Sequence, residues 1–103
     1  MEDEVSRNPA DAEAWIRLGN AYFDSDQYEK SIRAYEKALA LKPDNPDVLT
    51  DMGVMYRLSG QPHKALEAFN KAMAVNPKHE ISRLNKGIVL MYDLKDEKGA
   101  IQA

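Results

Sequence analysis

Residues 14–43 read AWIRLGNAYFDSDQYEKSIRAYEKALALKP, and residues 48–77 read VLTDMGVMYRLSGQPHKALEAFNKAMAVNP. Laid over each other at an offset of 34 residues, they pair Gly19 with Gly53, Tyr22 with Tyr56, Ser25 with Ser59, Gln27 with Gln61 and Lys30 with Lys64. The identities continue through Ala34/Ala68, Lys37/Lys71, Ala38/Ala72, Ala40/Ala74 and Pro43/Pro77, a register that chance does not produce. A fixed period of this length marks a repeat array. Inside each unit Trp15, Leu18 and Tyr22, then Ile32, Tyr35, Ala38 and Leu39, recur at three and four residues, so each unit is two amphipathic helices.

The punctuation agrees. Asp24–Gln27 and Ser59–Pro62 are turn and capping residues between the two helices of a unit. Pro43 and Pro77 cannot continue a helix, Asp11, Asn45 and His79 stand where an N-cap belongs, and Pro46 falls in a first turn. Gly19, Gly53 and Gly87 sit in mid-helix, where glycine costs about 0.5–1 kcal/mol against alanine, so close helix packing is expected to offset it. Ala34, Ala38, Ala68 and Ala72 would let neighbouring helices approach while Tyr22, Tyr35, Tyr56 and Phe69 fill the remaining volume.

These residues resemble the tetratricopeptide repeat (TPR). The resemblance rests on Trp15, Leu18, Gly19, Tyr22, Tyr28, Tyr35, Ala38 and Pro43 in the first unit. In the second it rests on Leu49, Met52, Gly53, Tyr56, Gly60, Ala65, Phe69, Ala72 and Pro77. Asp26, Ser31 and Pro62 depart from the pattern, replacing the usual turn glycine, small alanine and aromatic. The resemblance implies an all-α fold: a right-handed superhelical array of antiparallel helical hairpins, or α-solenoid, of about two and a half repeats. The expected organisation is one domain over 1–103, with repeats at 12–45 and 46–79, a partial repeat at 80–103, and residues 1–11 resembling the end of a preceding unit.

The third unit differs. Its first helix, expected from about Ile81 to Tyr92, puts Arg83 and Lys86 where the earlier units have Trp15/Leu49 and Leu18/Met52. The following turn aligns only after a one-residue insertion, and the chain stops before a counterpart of Tyr35 and Phe69, so an excised piece of a longer protein is expected. Each unit of such an array buries its apolar face only against its neighbours. Ile81, Leu84, Ile88, Val89, Leu90 and Met91 make this helix too apolar for a solvated end, and self-association through Ile81, Leu84, Ile88 and Met91, or cover by an exchanged C-terminal segment, is expected. The unit also resembles segments of bacterial repeat proteins tied to cytochrome c assembly.

By the same resemblance the first helices line a concave groove that takes an extended or helical peptide, and residues off the packing stripe map onto its wall. They are Glu13, Ile16, Arg17, Asn20, Phe23 and Asp24; then Asp47, Thr50, Asp51, Val54, Arg57 and Leu58; then Ile81, Leu84, Asn85, Ile88 and Met91. Ile16, Phe23, Val54, Ile88 and Met91 are apolar outside the core stripe, which points to an interface with a ligand, with further units or with another copy. The family's chaperone-tail clamp of Lys, Arg and Asn is matched only at Asn20. Ile16, Asp51, Ile81 and Asn85 occupy its other positions, and Asp51 would repel a C-terminal carboxylate. The expected function is therefore a protein-interaction module that binds a partner's peptide or helix, with a self-assembling scaffold as the alternative.

Other classes find no support. The 103 residues, 44% hydrophobic and 30% charged, suit one ordinary domain, and a net charge of −3 carries no nucleic-acid footprint. No run reaches the roughly 18 apolar residues of a membrane span. His63 and His79 form no metal-binding pattern, cysteine is absent, no glycine-rich phosphate loop occurs, and Ser25, Ser59 and Ser82 lack a nucleophile elbow's context. Asp24/Asp26 and Asp44/Asp47 read as solvated caps. No enzymatic activity, cofactor, metal, nucleic acid or direct membrane contact is expected. A soluble chain, cytoplasmic or periplasmic, fits either compartment.

Overall fold

The computed structural model describes residues 2–93, so the expected second helix of the third unit lies outside the described residues. Six α-helices follow one another: α1 Glu2–Arg7, α2 Ala12–Asp24, α3 Tyr28–Leu41, α4 Pro46–Leu58, α5 Pro62–Val75 and α6 Glu80–Ile88. A π-helical turn, Val89–Asp93, completes the last. No strand occurs among the described residues. The densest packing joins α2 to α3 and α4 to α5, which are the two hairpins. The molecule measures 52 × 27 × 17 Å, and its thin dimension leaves room for just two helix layers.

Local chemistry sets the boundaries. Asp11 accepts from the Glu13 N–H at 3.0 Å, Asn45 from the Val48 N–H at 3.1 Å, and the His79 imidazole from the Ser82 N–H at 3.4 Å. α2 and α4 both end in a Schellman turn: Asp26 N–H donates to Phe23 and Gln27 N–H to Tyr22, as Gly60 does to Arg57 and Gln61 to Tyr56. The left-handed residue of that turn is Gly60 (φ 81°) in one hairpin and Asp26 (φ 60°) in the other. Asp26 thus fills a position where a side chain is strained, and its substitution for the usual glycine has a cost.

The mid-helix glycines are contact points. A Cβ on Gly19 would stand 2.5 Å from the Tyr35 ring, and one on Gly53 would stand 2.5 Å from the Phe69 ring. Tyr35 and Phe69 are fully buried. Ser31, also fully buried, donates its hydroxyl to the Gly19 carbonyl at 2.9 Å, so its departure from the usual alanine leaves no unpaired polar atom. Ile32, Tyr35, Val48, Leu49, Met52, Met55, Ala68 and Ala72 form the central core, and Val5, Ala14, Leu18 and Ala34 form a smaller one under α1. Trp15 and Tyr22 pack half-buried against this smaller core, Lys30 of α3 lies over the Tyr22 ring, and the Trp15 indole N–H donates to the Pro9 carbonyl at 2.8 Å.

The first helix of the third unit, expected from about Ile81 to Tyr92, covers that range, but it passes from α to π geometry after Ile88. A π turn takes one more residue than an α turn, so an extra residue is accommodated within this helix. Val89 then points fully buried onto Ala65 and Phe69. The tight packing expected at Gly87 needs correction: among the described residues no atom lies within 4 Å of a Cβ built there.

Gly53 and Gly87 should therefore respond differently to one methyl group. Gly53→Ala is expected to cost about 1–3 kcal/mol, through displacement of the Phe69 ring. Gly87→Ala should be neutral or stabilising by up to about 1 kcal/mol. Urea denaturation followed by circular dichroism reads both, and equal losses would contradict this account of the packing.

Candidate peptide-binding groove

On the face shared by α2 and α4, Asn20, Phe23, Asp24, Tyr35 and Asp51 line an open depression of about 320 Å³. Four of these were legible as groove residues; Tyr35 was read as core alone. Its ring is core, but its hydroxyl reaches the groove floor and donates to Asn20 Oδ1 at 2.6 Å. The signal was available, because Phe69 fills the same register without a hydroxyl, and a buried phenol needs an acceptor. Ile16, Phe23 and Val54 are half-buried against the central core, with part of each surface left open.

The two expected groove arginines are held within the chain. Arg17 binds Glu4 of α1 in a bidentate pair, Nε to Oε1 at 3.0 Å and a terminal nitrogen to Oε2 at 2.6 Å. Hydrogen bonding to Arg17 holds the Glu4 carboxyl below its usual range. Arg57 binds Asp93 in the π turn at 2.5 Å. Neither Glu4 nor Asp93 was foreseen in this role; each lies far along the chain from its arginine, and only the fold joins them.

Thr50 is a correction. Expected on the groove wall, it is 2% exposed and donates to the Pro46 carbonyl at 2.7 Å. It sits beside His79, whose Nδ1 accepts from the Ser82 N–H and whose Nε2–H therefore donates to Asp47 at 2.8 Å. His79 is thus a cap, as its position suggested, and also a tie from α6 back to α4. Of the remaining expected residues, Glu13 and Leu58 are exposed on α2 and α4. Asn85 and Ile88 are half-buried on α6, with the Asn85 amide on the Ile81 carbonyl at 2.9 Å. Ile81, Leu84 and Met91 are 60%, 67% and 64% exposed.

Electrostatically the depression is negative. Neither Asp24 nor Asp51 has an ion-pair partner among the described residues. Burial first, and then the charge of Asp47, push the Asp51 carboxyl up to about 6, against a smaller opposing pull from His79. Burial, reinforced by Asp51 and Asp24, pushes the Tyr35 phenol well above its usual value and keeps it a donor. Among the described residues no group of His, Asp and Glu is arranged to hold a metal ion.

Because the folded pKa of Asp51 lies above the unfolded value of 3.8, its ionisation opposes folding. The penalty is absent below pH 4, grows between pH 4 and 6, and is complete above. Two pKa units correspond to roughly 3 kcal/mol at most, and partial exposure reduces this to about 1–2 kcal/mol. Asp51→Asn should therefore raise stability by about that amount at pH 7 and leave it unchanged near pH 4. Thermal denaturation at both values checks it; a loss of stability at pH 7 would reverse the electrostatic reading.

Sequence and structure comparisons place the chain among known proteins. TPR repeat and tetratricopeptide repeat profiles match residues 19–59 and 46–79, together more than half the chain. The formate-dependent nitrite reductase complex subunit NrfG of Escherichia coli O157:H7 is 33% identical over 48 residues, which are 47% of this chain and 24% of NrfG. Peroxisome biogenesis protein 5 of Arabidopsis thaliana is 37% identical over 54 residues, 52% of this chain and 7% of that protein. The matched segments are thus a quarter or less of these curated relatives. A crystal structure of the Sgt2 TPR domain from Aspergillus fumigatus superposes with a TM-score of 0.77 at 34% identity, covering 86% of this chain and 58% of that one. The 34-residue register, the glycine–aromatic hairpins and these matches together assign the chain to the tetratricopeptide repeat family.

Proposed function

We propose that this chain holds a peptide or helix of a partner protein along the face built by α2, α4 and α6. TPR arrays are protein-interaction modules, and the coarse role follows from family membership. The observation that carries the finer reading is the α2–α4 depression, where Phe23, Asn20 and Asp51 stand open beside the half-exposed Ile16 and Val54. Apolar surface next to unspent polar groups is the usual composition of a recognition site. The sharing of a fold with the Sgt2 TPR domain, and the similarity to the peroxisomal targeting signal receptor of Kluyveromyces lactis, support a site for a protein segment.

Dodecapeptides selected from a random display library, added to ¹⁵N-labelled protein, test the location. Amides of α2 and α4 near Asn20, Phe23, Asp51 and Val54 should shift. Shifts confined to α3 and α5 would overturn the groove as the binding face.

A second reading is favoured by a separate observation. Ile81, Leu84, Met91 and Tyr92 are 60–69% exposed, a concentration of large apolar side chains unlike any other on the described surface. Self-association through this face would cover them. Light scattering from micromolar to near-millimolar protein should then show a mass that rises with concentration and a monomer for Leu84→Glu; a constant monomer mass in the parent chain would remove this reading.

A further inference from the structure

We propose that the partner segment is basic, and that one of its Lys or Arg side chains seats between Asp24 and Asp51 with its backbone against Asn20. The inference rests on the groove reading and adds the chemistry of the occupant. Its basis is charge complementarity along the concave face.

The arginines of α2 and α4 expected on the groove wall are already paired. Arg17 is turned to Glu4 and Arg57 to Asp93, each in a direct ion pair. Asp24 and Asp51 are left facing the same open space with no ion-pair partner among the described residues, and His79 exerts a minor pull on Asp51. Asp51 is half-buried, so water screens it poorly, and an incoming ammonium or guanidinium group gains several times the attraction it would find in bulk solvent. An acidic segment or a free carboxylate would meet the same field as repulsion.

The neutral groups are arranged for the same guest. The Tyr35 hydroxyl donates to Asn20 Oδ1, which leaves the amide N–H donors of Asn20 available to a partner's backbone carbonyl. Phe23, on the rim, offers apolar surface for the methylene stem of Lys or Arg. Among the described side chains that line the depression, that amide is the one donor left open to an anion.

The selection described above distinguishes this chemistry from the location of the groove. Dodecapeptides recovered against the chain should be enriched in Lys or Arg next to apolar residues. A synthetic peptide from that pool, measured by fluorescence anisotropy, should bind Asp51→Asn or Asp24→Asn about tenfold more weakly. The same peptide should bind Glu36→Gln and Glu67→Gln, on the outer helices α3 and α5, within about twofold of the parent. Equal weakening by all four changes would mean generic attraction to an acidic chain and would overturn the proposal. Peptides that shift α2 and α4 amides without a basic requirement would also overturn it while leaving the groove intact. Peptides that bind elsewhere, or a selection that yields none, would overturn both.

Discussion

The structure depends on a ring pressed against a helix that has no side chain at that point. Tyr35 meets Gly19 and Phe69 meets Gly53 at distances a methyl group would not permit. Each contact pulls the two helices of a hairpin together, and the alanines and Ser31 on the facing helix allow the same approach. The energy gained is mostly dispersion and burial of a whole ring, larger than the roughly 1 kcal/mol a mid-helix glycine forfeits. Everything that follows along the chain inherits this spacing: the second helix of one hairpin packs on the first helix of the next through Ile32, Tyr35, Leu49 and Met52.

Most of this was legible without coordinates, because a repeat writes its constraints twice. Glycine, aromatic, turn and proline recur at one offset, so each reading was checked by its copy. Where only one copy of a feature exists, the sequence said less. The π turn at Val89–Asp93 has no counterpart, and an unmatched residue gives no indication whether a helix or a loop absorbs it. Thr50 failed for another reason: helical position alone sends it to the groove wall, but the entry of α6 beside His79 covers that spot. The partners of Arg17 and Arg57 were invisible for the same reason, being set by tertiary neighbours rather than by period.

The groove carries an unfavourable element that the rest of the fold supports. Asp51 is held half-buried with Asp47 one turn away, and no arginine is placed to relieve it. An apolar or amide side chain would serve the array better as a structure. Groups kept at such a cost concentrate where something is recognised. The Tyr35–Asn20 bond links that recognition surface to the core, since one side chain forms both the packing contact with Gly19 and the floor of the depression.

The packing runs almost entirely from each helix to the next, with α4–α6 the principal exception. Such an array behaves as a spring rather than a block. Deformation is shared among the junctions between hairpins, whose interfaces are smaller than those within them, so the concave face can widen or tighten by small rotations at each junction without separating any ring from its glycine. The His79–Asp47 tie braces the last junction, whereas α3 meets α4 through apolar side chains that can slide on one another. A guest that wedged the first hairpin away from the second would turn them about that apolar seam, which lies under the depression at Asn20 and Asp51.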